Sequence, residues 1–373
     1  MAVKDTATQY PGEQNMKKLI LTLPLFFLFS CGESELSQNK LSLGELSISS
    51  QSNFREETNQ IWDGMRLSHF NELQPGCEPI KLDSNKNVSQ KGLVILLHGF
   101  SACPQQYDEL APRLAKAGYD VLVPLFPGHG VVPESMSPRR DNTDYVPKTA
   151  TTWKSFRNDL NKLAESYDGK RSLTGLSMGT NLALSAYMKR PDLYENVVAV
   201  SPKLRNETSF FHGLLSNDIH ILNVDEWILG QRSGWDSCIT DSALDVMPRN
   251  GFCNFENRNA IAMLQFGNET IKDSAKFQNT TNTKVQIILS HNDDGVANNG
   301  ATELAGNLTD KGVDLSLCKM PSPVPHSMFS PYDQPRQKPW LEFLFSNIEK
   351  SLTISADFPT LKDSPEVCGW TSK

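Results

Sequence analysis

The sequence predicts an α/β fold, a mostly parallel sheet flanked by helices with a helical cap inserted over it. Three observations predict it: apolar runs that alternate with helical patterns after Lys91, a glycine-flanked serine between one such strand and the next helix, and a long aromatic-rich gap in the alternation.

The first unit is the run Leu93 to Leu97, followed by a helical pattern from Tyr107 to Ala117. A second run covers Tyr119 to Leu125, and a helix is expected from Trp153 to Tyr167. Then come a short run, Ser172 to Leu176, a helix, Met178 to Lys189, and a run, Val197 to Val200. Two more runs, Val285 to Leu289 and Val313 to Lys319, precede a last helix over roughly Lys338 to Lys350. Strands that take turns with helices pair in parallel, because each crossover returns the chain to the same end of the sheet before the next strand starts.

Between Ser201 and Lys284 the alternation stops, and aromatic residues such as Phe210, Trp227, Phe252, Phe255 and Phe266 accumulate. A segment that long needs its own structure, so a mostly helical cap insertion is expected over about 203–283, with an ordinary continuation of the core as the alternative. Its apolar side chains either form the cap's own small core or line an apolar pocket for an acyl chain.

The chain has 373 residues, 38% hydrophobic and 21% charged, which suits a folded body rather than a disordered one. Its net charge of −7 comes without a long basic run, so no nucleic-acid partner is expected.

From Met16 the text reads Met-Lys-Lys, then an apolar run Leu19 to Phe29, then Ser30-Cys31-Gly32. A positive start, about 11 apolar residues and a small residue before cysteine form an export signal too short to span a bilayer. Leu28-Phe29-Ser30-Cys31 resembles the lipobox of bacterial lipoproteins, with Phe29 bulkier than usual there. Cys31 would then carry the lipid anchor of an exported protein held at a membrane on its periplasmic or cell-surface face. A plain secretory signal and a single membrane anchor are the alternatives. Residues 1–15 do not belong to the signal, and a start at Met16 is the simplest reading.

The expected organisation is an extension and signal over 1–31, a tether and N-terminal segment over 32–75, the main domain over 76–355, and a tail over 356–373. Six cysteines remain beside Cys31. In an oxidising compartment they favour disulfides, and the sequential pairing is expected: Cys77 with Cys103, Cys238 with Cys253, Cys318 with Cys368. No Cys-x-x-Cys or His-Glu-x-x-His occurs in the sequence, so no metal or cofactor is expected.

Gly175-Leu176-Ser177-Met178-Gly179 lies where a strand ends and a helix begins. A serine on such a turn holds its hydroxyl above the strand ends, and glycines two positions away avoid collision with neighbouring backbone. Ser177 is therefore the candidate nucleophile. The run ending in His98-Gly99-Phe100-Ser101 fits a loop whose backbone N–H groups stabilise an oxyanion, with Phe100 and Met178 as the donors. His98 is a candidate base but suits a residue that shapes this loop.

His98-Gly99-Phe100, Pro127-Gly128-His129-Gly130 and Gly175-Leu176-Ser177-Met178-Gly179, in that order and spacing, resemble the bacterial carboxylesterase and monoacylglycerol lipase branch of the α/β hydrolases. The likeness runs from about Gly92 to Lys350 and weakens in the cap. It implies an α/β-hydrolase fold and a chain order of nucleophile, acid, histidine. Carried onto this sequence, the acid belongs in Ser290-His291-Asn292-Asp293-Asp294-Gly295-Val296, with Asp293 in register and Asp294 the near miss. Ser290 stands where that family usually has glycine. His326 is the one histidine that follows, on a proline-rich loop, and is the candidate base. His129 either lines the pocket or only shapes its loop. The implied reaction is cleavage of a small-molecule ester through an acyl-enzyme. A peptidase, thioesterase or acyltransferase on the same residues, and a non-catalytic surface-binding lipoprotein, are the alternatives.

Overall fold

The computed structural model describes residues 54–67, 73–131, 145–205, 232–234, 251–252, 254–291, 293, 296–322, 324–328, 339–352 and 366–368. All of them belong to the compact unit 51–373. The expected export signal with Cys31, Asp294, the expected pair Cys238 and Cys253, and most of the expected insertion lie outside the described residues.

Seven strands of the main sheet are parallel: β2 (Gly92–Leu97), β3 (Tyr119–Val123), β4 (Arg171–Leu176), β5 (Asn196–Val200), β8 (Lys284–Ser290), β9 (Asp314–Met320) and β10 (Glu366–Val367). An eighth, β1 (Ile80–Leu82), pairs antiparallel with β3 at one edge, and the spatial order is β1-β3-β2-β4-β5-β8-β9-β10. A separate ribbon joins β6 (Arg232–Gly234) to β7 (Asn254–Glu256). The mostly parallel sheet expected from the alternation is therefore present.

The continuous apolar runs follow from burial on both faces, as parallel sheets require. On β2, Leu93, Ile95 and Leu97 pack into one core and Val94 and Leu96 into the other. The first core holds α3 (Ala150–Ser166), α4 (Met178–Lys189), α5 (Asn257–Lys276) and α6 (Asn298–Asp310). The second holds α2 (Leu110–Lys116) and α7 (Leu341–Ser351). Each leucine so buried contributes roughly 1.5–3 kcal/mol. Helix α4 is buried from Met178 to Tyr187, which explains its lack of a polar stripe.

Register brings the loops of interest to one edge. Leu97 pairs with Gly175, Leu176 with Val200, and Val200 with Ile288. The chain thus leaves β2, β4, β5 and β8 at nearly one level. Between β2 and β4 successive crossovers part to opposite sides, the switch point where α/β sheets bind ligands.

Three expectations need correction. The segment over 32–75, expected as tether, carries a packed helix: α1 (Glu56–Leu67) lies on α3 with Phe54 and Trp62 buried and the Thr58 hydroxyl donating to the Ser166 carbonyl at 2.8 Å. Phe266 belongs not to a cap but to α5, a helix that flanks the sheet beside α3 and α4. The tail over 356–373 is not free of structure: it carries β10, and the expected disulfide Cys318–Cys368 is formed just after it. The expected pair Cys77–Cys103 is also bonded, with Cα atoms 4.8 Å apart.

Candidate active site

Ser177 joins β4 to α4 with φ 57° and ψ −116°, a conformation that L residues hold only under constraint and that costs about 1–3 kcal/mol. The constraint is visible in its neighbours. A Cβ on Gly175 would lie 2.4 Å from the Gly179 carbonyl, and one on Gly179 would lie 1.9 Å from the Leu97 carbonyl oxygen. Only glycine permits that approach. The Ser177 N–H donates to the Val200 carbonyl at 2.9 Å, and the Thr180 hydroxyl reaches the Gly175 and Val200 carbonyls at 2.8 and 3.0 Å.

His326 lies in a turn after β9, with Nε2 2.9 Å from Ser177 Oγ and Nδ1 2.8 Å from Asp293 Oδ2. Asp293 follows β8, its side chain fully buried, and its Oδ1 accepts the Val296 N–H at 2.9 Å. With a carboxylate beside Nδ1, the ring proton belongs there, which leaves the Nε2 lone pair facing the serine hydroxyl. The structure thus brings Ser177, Asp293 and His326 together in one hydrogen-bonded chain.

The loop after β2 is held from several sides. The Gly99 carbonyl accepts the Ala102 N–H at 3.2 Å and the His98 Nδ1–H at 2.9 Å. In a trans peptide N–H and C=O point opposite ways, so the Phe100 N–H is turned away from these donors. Gly99 itself lies against the serine, since a Cβ on it would be 3.6 Å from Ser177 Cβ. Among the described residues neither the Phe100 N–H nor the Met178 N–H has an acceptor. Met178 also opens α4, whose N-terminus favours negative charge.

His98 does not reach the serine. Its Nε2 accepts the Phe126 N–H at 3.1 Å and its ring stacks on Phe126. His129 accepts the Ser101 N–H on Nε2 at 3.2 Å and donates from Nδ1 to the Pro127 carbonyl at 3.0 Å, so it shapes the loop. Burial pushes His98 well below the ordinary imidazole range, with His129 adding to the effect, and burial takes His129 down to about 4. Both rings are neutral.

Phe252 and Phe255 pack edge-on against Phe100, each with centroids 5.2 Å away, and Phe252 also contacts His129. They belong to the packing around the loop. Gln106, whose Oε1 accepts the Gly99 N–H at 2.7 Å, carries no sequence signal beyond its nearness to that loop. Ser290, the residue in place of the family's glycine, has a structural role that the sequence does not indicate: its hydroxyl donates to the Val324 carbonyl. Among the described residues no group of His, Cys, Asp and Glu could hold a metal ion.

A nucleophile elbow at the switch point of a mostly parallel sheet defines an α/β hydrolase. More narrowly, residues 88–320 match the family model described as serine aminopeptidase, S33, and the chain belongs to that family. Over 100 residues it is 33% identical to a thermostable monoacylglycerol lipase of Bacillus sp. (strain H-257), a match covering 27% of this chain and 36% of that relative. The matched stretch thus spans about a third of that relative's length. Among solved structures, a monoacylglycerol lipase of Paleococcus ferrophilus is similar with a TM-score of 0.53 at 19% identity, covering 75% of this chain and 98% of that one. A soluble variant of monoglyceride lipase from Saccharomyces cerevisiae gives 0.55 at 17% identity, covering 74% and 90%. These likenesses establish the fold.

Proposed function

We propose that the protein is a serine hydrolase of the lipase and esterase type that cleaves carboxylic esters through an acyl-enzyme on Ser177. One observation carries the reading: His326 lies within hydrogen-bond reach of both the Ser177 hydroxyl and the Asp293 carboxylate, at 2.9 and 2.8 Å.

In the first half-reaction His326 Nε2 takes the Ser177 proton as Oγ bonds to the ester carbonyl carbon. The carbonyl oxygen becomes an oxyanion, which the N–H groups of Phe100 and Met178 stabilise by about 3–4 kcal/mol each. Asp293 holds the imidazolium by its Nδ1–H. Collapse of the intermediate breaks the ester C–O bond, and the alcohol leaves with the proton from His326. Water, deprotonated by the same nitrogen, then releases the carboxylic acid. The steps use no metal or cofactor.

Small acyl esters, monoacylglycerols among them, are the substrate class that the similarity to monoacylglycerol lipase supports. The export signal and Cys31 support a lipid-anchored protein outside the cytoplasm. A peptidase reading has one observation in its favour, the aminopeptidase description of the matching family. A panel of p-nitrophenyl esters against aminoacyl p-nitroanilides tests the choice. Turnover of esters alone is expected, and turnover of the anilides alone would overturn the esterase reading.

A further inference from the structure

We propose that Gln74 and the Cys77–Cys103 disulfide form a buttress that sets the oxyanion loop, which makes Gln74 a positioning residue for the hydrolase reaction. The inference rests on the proposed function in one respect, that the Phe100 N–H stabilises the oxyanion.

The loop from Gly99 to Gln106 has no regular structure apart from the 3₁₀ turn at its end. Its bend at Ser101 has φ 64°, a value that surroundings must impose on a residue with a side chain. Two groups outside the loop impose it. His129 Nε2 accepts the Ser101 N–H at 3.2 Å, and the Phe252 N–H donates to the Ser101 carbonyl at 3.2 Å. The peptides on both sides of the bend are therefore held by two other segments, around His129 and around Phe252, each irregular in turn.

Both segments are fastened to one short stretch, residues 73–77. The Gln74 N–H donates to the Gly130 carbonyl at 2.8 Å, and Leu73 bridges Val131. The Gln74 side-chain oxygen accepts the Gly251 N–H at 3.0 Å. One glutamine thus connects the backbone next to His129 with the backbone next to Phe252. The same stretch is bound to the loop itself, by the disulfide from Cys77 to Cys103 and by the Gln105 N–H donating to the Gly76 carbonyl at 3.2 Å. Fit is tight throughout. A Cβ on Gly130 would lie 2.5 Å from Cys77 Cβ, and one on Gly251 would lie 2.1 Å from the Ser101 carbonyl oxygen. Gln74 is buried and both cysteines are fully so. Oxyanion donors act only when they are fixed before charge develops. This buttress fixes one of the two.

Gln74→Met keeps the length of the side chain and removes the acceptor for Gly251, whereas Gln74→Glu keeps an acceptor. Turnover of a p-nitrophenyl ester and inhibition by an alkylboronic acid, whose tetrahedral adduct puts an oxygen at the oxyanion position, are measured on both. In Gln74→Met, kcat is expected to fall on the order of tenfold with KM within about twofold, and boronic acid inhibition to weaken in parallel. Gln74→Glu is expected to recover most of the loss. The double variant Cys77→Ala/Cys103→Ala, which leaves Gln74 intact, is expected to show the same split between kcat and KM. A lower melting temperature with kcat and boronic acid affinity unchanged in both Gln74→Met and the cysteine variant would overturn the inference. Absence of ester turnover and of boronic acid binding in the wild-type protein would instead overturn the proposed function.

Discussion

The Ser290 hydroxyl donates to the carbonyl of Val324, 2.6 Å away, and so ties the strand that delivers Asp293 to the loop that delivers His326. Ser290 is fully buried, and its own carbonyl accepts the Asn298 side-chain N–H at 2.8 Å. Ser290→Ala leaves the Val324 carbonyl unpaired, so unfolding in urea should show a loss of about 1–3 kcal/mol. Turnover should fall further than KM rises, because the histidine's loop is loosened while the rest of the site is untouched. Unchanged stability and kcat would show that the link is idle.

Asp293 is the carboxylate in contact with His326, through Oδ2, while Val296 holds Oδ1. Asp293→Asn removes the charge and presents an amide that favours the wrong ring tautomer. Its kcat for a p-nitrophenyl ester should fall by about 10³–10⁴-fold. Asp294→Asn should stay within a few-fold of wild type. Equal losses in the two variants would reject Asp293 as the acid.

The pH dependence of stability follows from His98 and His129. Both are neutral in the fold, His129 down to about pH 4, whereas an unfolded histidine takes up its proton near pH 6.5. Below about pH 6.5 the unfolded chain binds protons that the fold refuses. Stability is therefore fully present above that pH and is lost as pH falls towards 4, on the order of 3 kcal/mol for His129 alone. Thermal melts of wild type and His129→Gln between pH 7.5 and 4.5 test this. The wild type should lose more than the variant over that window, and parallel curves would contradict the account.

The sequence made legible those parts of the fold that repeat a local pattern. The strands from β2 to β9 of the main sheet stand out as short, mainly apolar runs because both faces are covered, and α4 matches the expected Met178 to Lys189. The approach of Gly175 and Gly179 to neighbouring backbone follows from their spacing about Ser177. What was not legible depends on partners distant in sequence. Helix α1 begins Glu-Glu-Thr-Asn-Gln and reads as a solvated tether until Trp62 is seen to be buried. Strand β10 is two residues long and is held by a disulfide that spans 50 positions. Gln74 meets Gly251, 177 residues away, and no local pattern marks either. Helix α5 passed for part of an insertion because its aromatic approach, Phe252 and Phe255, masks the return to strand-helix alternation.

The lipid anchor proposed at Cys31 has its own test. Cys31→Ser removes the thiol that would be acylated, so the protein should move from the membrane fraction to the soluble fraction with its specific activity retained. Membrane association that survives the change would count against the anchor.

Turnover of p-nitrophenyl hexanoate by wild type and Ser177→Ala measures whether Ser177 forms the acyl-enzyme. The substitution removes one oxygen from a turn whose geometry Gly175, Gly179 and the Ser177 N–H bond to Val200 maintain, so circular dichroism and melting temperature should stay close to wild type. With Ser177 as the nucleophile, kcat falls by about 10⁴-fold or more in this folded variant. A folded Ser177→Ala protein that hydrolyses the ester within tenfold of the wild-type rate would contradict it.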